Sequence, residues 1–468
     1  MPGRVLLLSI NVYEFPYAVY PLGAAYVAAA ARRAGHAVRL LDFQLHRAPP
    51  GDAVRAFRPD VIGISLRNID DALIQRRETF FGELRDLVTE LRRHAGAPVV
   101  LGGSGFSIFP AELLDLSGAD YGIQGESERS FVALLAALEQ GREPAAIPGL
   151  VRRAGERVQV NAQTAALAPA ELDEPERPDE LVEFYQRRSS MLNLQTQRGC
   201  ALKCCYCTYP LIEGRQHRTR PAEAVAEEMA ALQRRGVRYV FLVDSVFNSS
   251  PGHVEGVCDA ILRRGAQMKW CCFLRPQRLS AGLLRAMARA GLSHVEFGSD
   301  SFCDEVLAAY GKHLTFDDIY ESSEFARQAG VDYCHFLICG GPGETEATLE
   351  TTFANSQRLK EATLMARAGM RVYPGTPLFE RYRHAPTMPA AEALLAPFYY
   401  LAPPLTEAGV LERLRAFARR SPNWIVDDPP PSYLQMAERL RRKGVVGPLW
   451  SYFAVLQRLG GGFVPAPA

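Results

Sequence analysis

The chain has 468 residues, of which 48% are hydrophobic, so it can form about three domains with ordinary buried cores. Lysine and arginine (53) nearly balance aspartate and glutamate (52), which argues against a nucleic-acid-binding protein because such proteins usually carry a basic face. The sequence contains no apolar run of the roughly 20 residues needed to span a bilayer, and its start lacks a secretory signal pattern. These features predict a cytoplasmic protein.

Residues 1–145 alternate short β-branched runs with amphipathic helical stretches, beginning with "RVLLLSI" and "YPLGAAYVAAAARRAG". The alternation predicts a doubly wound parallel sheet of five strands, and such sheets bind ligands at the carboxyl ends of their strands. The loops leaving those ends are rich in small and polar residues: "SINVYE", "SLRNIDD", "GGSGFSIFP" and "GESERS". They indicate a large polar ligand other than a dinucleotide, because no G-x-G-x-x-G opens a helix after the first strand.

Residues 146–190 are predicted to form a hairpin that turns at Gly155 and a linker rich in proline and acidic residues. A second α/β domain follows over residues 191–380, with six strands separated by helices. Six units are too few for a closed eight-unit barrel, so we expect a partial (β/α)6 barrel with an open side. The predicted strands are 191–198, 239–245, 269–275, 294–300, 332–340 and 366–373.

Residues 381–468 are predicted to be mostly helical and to pack as a lid over the open side of the barrel. The final stretch combines "RLRRKG" with "LWSYFAVLQRL". A basic amphipathic helix of this kind could instead contact a membrane surface or a lipid substrate.

All ten cysteines lie between Cys200 and Cys339, and "RGCALKCCYC" places three of them at the spacing C-x3-C-x2-C directly after the first barrel strand. In a reducing compartment, clustered cysteines more often bind metal or react than form disulfides. A structural zinc site normally needs four protein ligands, which this group does not supply. Three thiolates can hold a four-iron cluster and leave one iron open. Cys205 lies outside the spacing and is expected to be a packing residue.

Together with the aromatic Tyr206, this spacing resembles the signature of the radical S-adenosylmethionine (SAM) superfamily. In that superfamily SAM chelates the open iron, and its reductive cleavage gives a 5′-deoxyadenosyl radical. The first domain resembles the cobalamin-binding domain that precedes many of these enzymes. The matching segments are "YPLGAAYVAAAARRAGHAVRLLD", "GISLRNIDD", "VVLGGSGFSIFP" and "YGIQGESERSF".

The resemblance implies an α/β fold with a flavodoxin-like cobalamin-binding domain, and it assigns residues to three cofactors without naming a catalytic residue. The 4Fe–4S cluster ligands are Cys200, Cys204 and Cys207. The expected cobalamin contacts are Ser65, Arg67, Asn68, Gly102, Gly103, Ser104, Gly105, Gly125 and Glu126. The expected SAM contacts are Tyr206, Asp244, Arg275, Ser299, Asp300 and Gly341.

Two departures from the family pattern bear on these assignments. Many cobalamin proteins carry Asp-x-His-x-x-Gly after the first strand, with the histidine on cobalt, whereas the first histidine here is His36. Arg67 or Asn68 is therefore the candidate to face cobalt, unless Arg67 is a surface residue paired with Asp70 or Asp71. The adenine motif G-x-I-x-G-x-x-E is only partly matched by "FLICGGPGE", and Ser299 and Asp300 could instead cap the next helix.

The resemblance implies a methyltransferase that acts on an unactivated carbon of a small-molecule or natural-product substrate. The methyl group would pass from SAM through methylcobalamin to a substrate radical made by the 5′-deoxyadenosyl radical. A one-electron donor such as flavodoxin or ferredoxin is the expected partner. Two alternatives remain. The enzyme could catalyse ring closure or rearrangement without methyl transfer, or the chain could be a cobalamin sensor or carrier whose cluster is structural. A methylthiotransferase fits poorly, because residues 1–199 lack the cysteines of its second cluster.

Overall fold

The computed structural model describes residues 3–15, 17–163 and 166–452. Over these residues the chain forms two large, mainly parallel sheets with helices packed on them. None of the helices in these ranges is both long and apolar enough to cross a membrane.

The first sheet has the strand order β2-β1-β3-β4-β5-β6-β7. Its first five members in sequence pair in parallel, as predicted for a doubly wound domain. The strands are β1 Arg4–Ser9, β2 Ala37–Asp42, β3 Val61–Ser65, β4 Val99–Gly102, β5 Tyr121–Ile123, β6 Leu150–Ala154 and β7 Arg157–Val160.

Helices cover both faces of this sheet, with α1 against α5 on one face and, on the other, α3 in contact with both α2 and α4. Their bounds are α1 Leu22–Arg33, α2 Pro50–Phe57, α3 Leu84–His94, α4 Pro110–Ser117 and α5 Glu128–Glu139. The first helix starts directly after Pro21 and stops before Gly35, whose φ of +93° suits glycine, so both sequence signals hold.

The predicted hairpin exists, but it belongs to the first sheet and not to the linker. The β6–β7 hairpin turns at Gly155, and β6 pairs antiparallel with the three-residue strand β5. The sheet therefore has seven strands within the described residues, where five were predicted. An added hairpin covers the backbone groups that a short edge strand would leave unpaired.

The second sheet has the order β18-β15-β14-β13-β12-β11-β8, and every neighbouring pair is parallel. The strands of this half are β8 Leu192–Leu194, β9 Gln197–Arg198, β10 Arg218–Thr219, β11 Tyr239–Leu242, β12 Lys269–Leu274, β13 Leu292–Asp300, β14 Asp332–Cys339, β15 Thr363–Ala368, β16 Met370–Arg371, β17 Tyr399–Tyr400 and β18 Trp424–Ile425. Because β8 and β18 are not paired with each other, the sheet is open, as expected for a partial barrel.

The helices of this half are α6 Asp179–Ser189, α7 Tyr209–Ile212, α8 Ala222–Arg234, α9 Pro251–Arg263, α10 Ala281–Arg289, α11 Asp304–Ala309, α12 Phe316–Gln328, α13 Glu346–Ser356, α14 Pro377–Tyr382, α15 Glu407–Ala418 and α16 Pro431–Arg442. Several start at a Ser or Thr whose side chain accepts a backbone N–H of the first turn, as at Ser280 and Thr315.

Two predicted barrel strands differ from the structure. The stretch 191–198 divides into β8 and the two-residue strand β9. The predicted strand 366–373 starts earlier, at Thr363, and is interrupted at Gly369, which has a φ of +73°. An added Cβ at Gly369 would lie 2.8 Å from the Ile74 side chain of the first domain, so this break is where the two domains approach closely.

The C-terminal region is mostly helical, and it also adds β18 to the barrel sheet. Residues of α16 and of the segment 449–452 pack on the inner face of the barrel. There the Trp450 indole N–H donates to Oε1 of Glu296 at 2.8 Å. The rest of the predicted final helix, beyond Tyr452, lies outside the described residues.

Candidate active site

A cavity of about 580 Å³ lies between the carboxyl ends of the first-sheet strands and the barrel. The loops after β1, β3, β4 and β5 form one side, and β8, β9 and α7 contribute to the other. All nine residues predicted to contact cobalamin line it: Ser65, Arg67, Asn68, Gly102, Gly103, Ser104, Gly105, Gly125 and Glu126. The volume is in the range of ordinary cofactor pockets.

Close backbone packing shapes the floor of this cavity. Gly103 has a φ of +101°, and an added Cβ there would lie 2.5 Å from the carbonyl oxygen of Leu66. At Gly105 an added Cβ would lie 2.9 Å from the carbonyl oxygen of Arg67. The Ser104 hydroxyl donates to that same Arg67 carbonyl at 3.0 Å. Gly103 and Gly105 of "GGSG" therefore let the loop after β4 pack against the loop after β3.

Arg67 projects into the cavity and is not a paired surface residue. The two candidate partners of Arg67 are paired elsewhere. Oδ2 of Asp70 forms an ion pair with Nε of Arg371 at 2.9 Å, and Oδ2 of Asp71 forms one with Nε of Arg76 at 2.6 Å. No hydrogen bond or ion pair joins the Arg67 guanidinium to another described residue. Its side chain is exposed within the cavity, and desolvation by the surrounding walls lowers the pKa of the guanidinium. A cation that faces a cofactor-sized cavity without a protein anion indicates a place prepared for a ligand.

Glu126 lines the same cavity, but its carboxylate is committed elsewhere. It accepts hydrogen bonds from Arg218 at 2.9 and 2.8 Å, from Arg198 at 3.2 Å and from the Leu167 amide at 3.0 Å. The predicted contact between Glu126 and cobalamin is therefore not supported for its side chain.

The three predicted cluster cysteines lie in one loop that follows β9. Gly199 begins this loop with a φ of +81°, and the Cys207 amide donates to the Cys204 carbonyl at 3.3 Å. Burial, together with the neighbouring thiols of Cys204 and Cys200, raises the pKa of Cys207 to about 12. The three cysteines thus come from one compact loop, as their spacing predicts.

Within the described ranges, no three His, Cys, Asp or Glu side chains converge tightly enough for a single metal ion. An iron–sulfur cluster holds its thiolates around a larger body than a single metal ion does. Cys205 is a packing residue, as predicted: it is 2% exposed and its sulfur lies 3.7 Å from that of Met370.

A polar cluster beside Cys204 contains three of the predicted SAM contacts. The Tyr206 hydroxyl donates to Oδ2 of Asp300 at 2.6 Å, and Lys312 pairs with the same oxygen at 2.7 Å. Arg275 donates to the carbonyl of His313 at 3.0 Å and to that of Lys312. The charges of Lys312 and Arg275 both lower the pKa of Cys204, although burial raises it overall.

Three other predicted SAM contacts are occupied by internal bonds. Asp244 accepts from the Thr196 amide at 2.7 Å, and burial raises the pKa of its carboxyl to about 7. Ser299 is fully buried, and its hydroxyl lies 2.7 Å from Nδ1 of His335. The Gly341 amide donates to the hydroxyl of Tyr310 at 3.0 Å. The structure therefore does not favour SAM contacts for the Asp244 and Ser299 side chains.

Sequence reasoning missed Lys312 and Tyr209. Lys312 is 5% exposed, and nothing in its neighbouring sequence marks it, because its partner Asp300 lies on the other side of α11, at the end of β13. Tyr209 starts α7, two residues after Cys207, and lines the cavity into which Arg67 projects. Its closeness to the third cysteine was a usable signal.

The cavity is of a size to accept cobalamin, and the cysteine loop supplies three thiols for a 4Fe–4S cluster. The comparisons with known proteins agree with both assignments. Residues 194–354 match the radical SAM superfamily model, and residues 8–135 match the B12-binding domain model. A tryptophan 2-C-methyltransferase of Streptomyces laurentii is 26% identical over 80% of this chain and 73% of its own. A hopanoid C-3 methylase of Methylococcus capsulatus is 26% identical over 68% of this chain and 60% of its own.

Among solved structures, the radical SAM methyltransferase TsrM from Kitasatospora setae, with cobalamin and a 4Fe–4S cluster bound, has the same fold. It superposes with a TM-score of 0.86 at 24% identity, over 98% of both chains. The predicted family, fold class and cofactors (4Fe–4S cluster, SAM and cobalamin) are confirmed. The chain belongs to the cobalamin-dependent radical SAM enzymes, and among them it is most like the methyltransferases.

Proposed function

We propose that this protein methylates an unactivated carbon of a small aromatic substrate. One observation carries the proposal: the residues that follow the third cluster cysteine line the same cavity as the cobalamin loops. Thr208, Tyr209 and Ile212 lie on its wall together with Arg67 and Gly103. The segment that directly follows the cluster cysteines therefore borders the cavity that we assign to cobalamin. A sensor or carrier with a structural cluster would not need such an arrangement.

When bound, the cofactors supply a transferable methyl group and a one-electron route to a carbon radical. The chain's own residues bind and orient. Lys312 and Arg275 place positive charge beside Cys204, where the carboxylate of the methionine part of SAM would be attracted. Asp300 fixes Lys312 and accepts from Tyr206, so the polar cluster is ordered before SAM arrives.

Arg67 is the residue that we assign to the cobalt-facing side of the cobalamin site. A guanidinium carries only donors and has no lone pair to offer a metal. At this face Arg67 would therefore leave cobalt without a protein ligand, and its charge would disfavour an added one. The predicted alternative, Asn68, also lines the cavity.

The barrel wall of the cavity favours an aromatic substrate. Phe241, Val243 and Phe273 line the cavity from the barrel strands, and Tyr17 reaches it from the loop after β1. Apolar side chains in these positions exclude water and can stack against a flat ring. Tryptophan is the first compound to test, since a relative is named as a tryptophan methyltransferase.

The experiment is anaerobic turnover of the chain loaded with iron, sulfide and cobalamin. Trideuteromethyl-SAM, tryptophan and either flavodoxin or ferredoxin as electron donor are added, and the products are separated by mass spectrometry. We expect S-adenosylhomocysteine in step with a trideuteromethylated product. A variant with alanine at Cys204 is the matched control and should give neither. A product without a label, formed without S-adenosylhomocysteine, would instead favour ring closure or rearrangement.

A further inference from the structure

A two-stranded ribbon closes the base of the loop that carries the cluster cysteines. In the β9–β10 pair, Arg198 lies opposite Arg218 and Gln197 opposite Thr219. The loop between these strands, residues 199–217, contains all three cluster cysteines. The position of this ribbon therefore sets the position of the cluster loop.

The ribbon places two positive charges opposite each other. Directly opposed residues of an antiparallel pair have Cβ atoms about 4.5–5.5 Å apart, and like charges in such a pair are destabilising. Both side chains are also withdrawn from water: Arg198 is 8% exposed and Arg218 is 9% exposed. An anion between the two arginines would offset this repulsion and stabilise the ribbon in this form.

The cobalamin-binding domain supplies this anion. Glu126, which follows β5, is 6% exposed and accepts from Arg218 at 2.8 and 2.9 Å and from Arg198 at 3.2 Å. Glu128 adds a second bond to Arg198 at 2.6 Å, and the ring of Tyr26 lies 4.5 Å from the Arg198 guanidinium carbon. Both carboxylates belong to the segment that lines the cavity.

Hydrogen bonds from Gly125, the residue before Glu126, lead to the glycine loop under the cavity. The Gly125 amide donates to the Ser107 hydroxyl at 2.8 Å, and this hydroxyl donates to the Gly103 carbonyl at 2.8 Å. Gly103, Gly125 and Glu126 all line the cavity. A ligand that fills the cavity thus contacts the same connected group of residues that holds the ribbon.

We infer that Glu126 is a positioning residue that couples occupancy of the cobalamin cavity to the geometry of the cluster loop. Buried ion pairs add little net stability compared with apolar packing, and their best-attested use is to specify one arrangement. Here the arrangement specified is the register between the two cofactor domains. By thermodynamic linkage the coupling is reciprocal, so the cluster also changes the affinity for cobalamin.

The test measures this coupling directly and rests on the proposed function, because both cofactors must bind. The Kd of hydroxocobalamin is measured on the chain with and without its reconstituted cluster. The electron paramagnetic resonance spectrum of the reduced cluster is recorded with and without cobalamin. For the unaltered chain we expect the two Kd values to differ by roughly 5- to 150-fold, the usual range of coupling, and the spectrum to change.

Glu126→Gln should bind both cofactors with the ratio of Kd values near one and with a spectrum that no longer responds to cobalamin. Glu171→Gln is the matched control, because Glu171 pairs with Arg129 at 2.5 Å on the surface and lies outside the cavity. It should keep the coupling of the unaltered chain. Glu126→Asp, which keeps the charge, should recover part of the coupling.

The inference is overturned if Glu126→Gln retains the full ratio, or if the unaltered chain binds both cofactors with a ratio of one. The second result decides the question even when Glu126→Gln fails to fold. A chain that binds no cobalamin at all would instead refute the proposed function.

Discussion

Replacing Gly103 with alanine should weaken cobalamin binding far more than replacing a glycine elsewhere in the same domain. At a φ of +101° an alanine side chain is strained, and a residue in such a region costs about 1–3 kcal/mol. The added Cβ would also lie 2.5 Å from the Leu66 carbonyl oxygen and 2.9 Å from its carbonyl carbon. Both are backbone atoms, so the loops after β3 and β4 must separate by about 1 Å, a displacement that can disable a site.

Gly118→Ala is the control, because its φ is +70° and an added Cβ would meet no atom within 4 Å. It should lose only the conformational term, about 1–2 kcal/mol of unfolding free energy in urea. Because its Cβ is also crowded, Gly103→Ala should lose about 1–3 kcal/mol more unfolding free energy than Gly118→Ala. We expect the Kd of hydroxocobalamin, followed by absorbance, to rise at least about tenfold (1.4 kcal/mol) relative to the control. Equal Kd values for the two variants would refute the assignment of this loop to cobalamin.

Three further predictions test other parts of the site. Cys205→Ala should keep its full iron content, whereas alanine at any cluster cysteine should lower it; equal losses, measured by iron and sulfide analysis, would contradict the assignment. Burial raises the pKa of Glu296 from 4.5 to about 7, so the unfolded chain releases this proton first and folding stability falls as the pH rises between these values. Glu296→Gln can still accept a hydrogen bond from Trp450 but does not titrate. Between pH 5 and 8 the free energy of unfolding in urea should therefore fall by up to about 3 kcal/mol less in this variant than in the unaltered chain. The same pH profile in both proteins would refute the burial argument. Ser299→Ala should leave the Kd of SAM unchanged and Asp300→Asn should raise it several-fold, and the reverse order would show that the two side chains have been assigned wrongly.

Features encoded in short stretches were predictable from the sequence. The cysteine spacing predicted which loop holds the cluster, because this signature is contained in one short segment, and the structure places the three cysteines in a single loop. Strand and helix periodicity, with glycines at the strand exits, identified the parallel sheets and the edge where ligands bind. The nine predicted cobalamin residues meet in one cavity for this reason: parallel strands bring all their carboxyl ends to the same edge.

Roles that depend on a partner from a distant segment were not predictable. Ser299 and Asp300 are adjacent in sequence, yet they point to different surroundings because successive strand residues face opposite sides of a sheet. Glu126 was predicted to contact cobalamin, but its partners Arg198 and Arg218 approach it only when the two domains pack together.

The sequence by itself determined the cofactor chemistry and the parallel α/β architecture, since both follow from local spacing and periodicity. Only the tertiary structure decided that Arg67 is free to project into the cavity, because Asp70 and Asp71 are taken by Arg371 and Arg76. The physical reason is that a buried charge is placed by whichever opposite charge the packing of distant segments brings within reach.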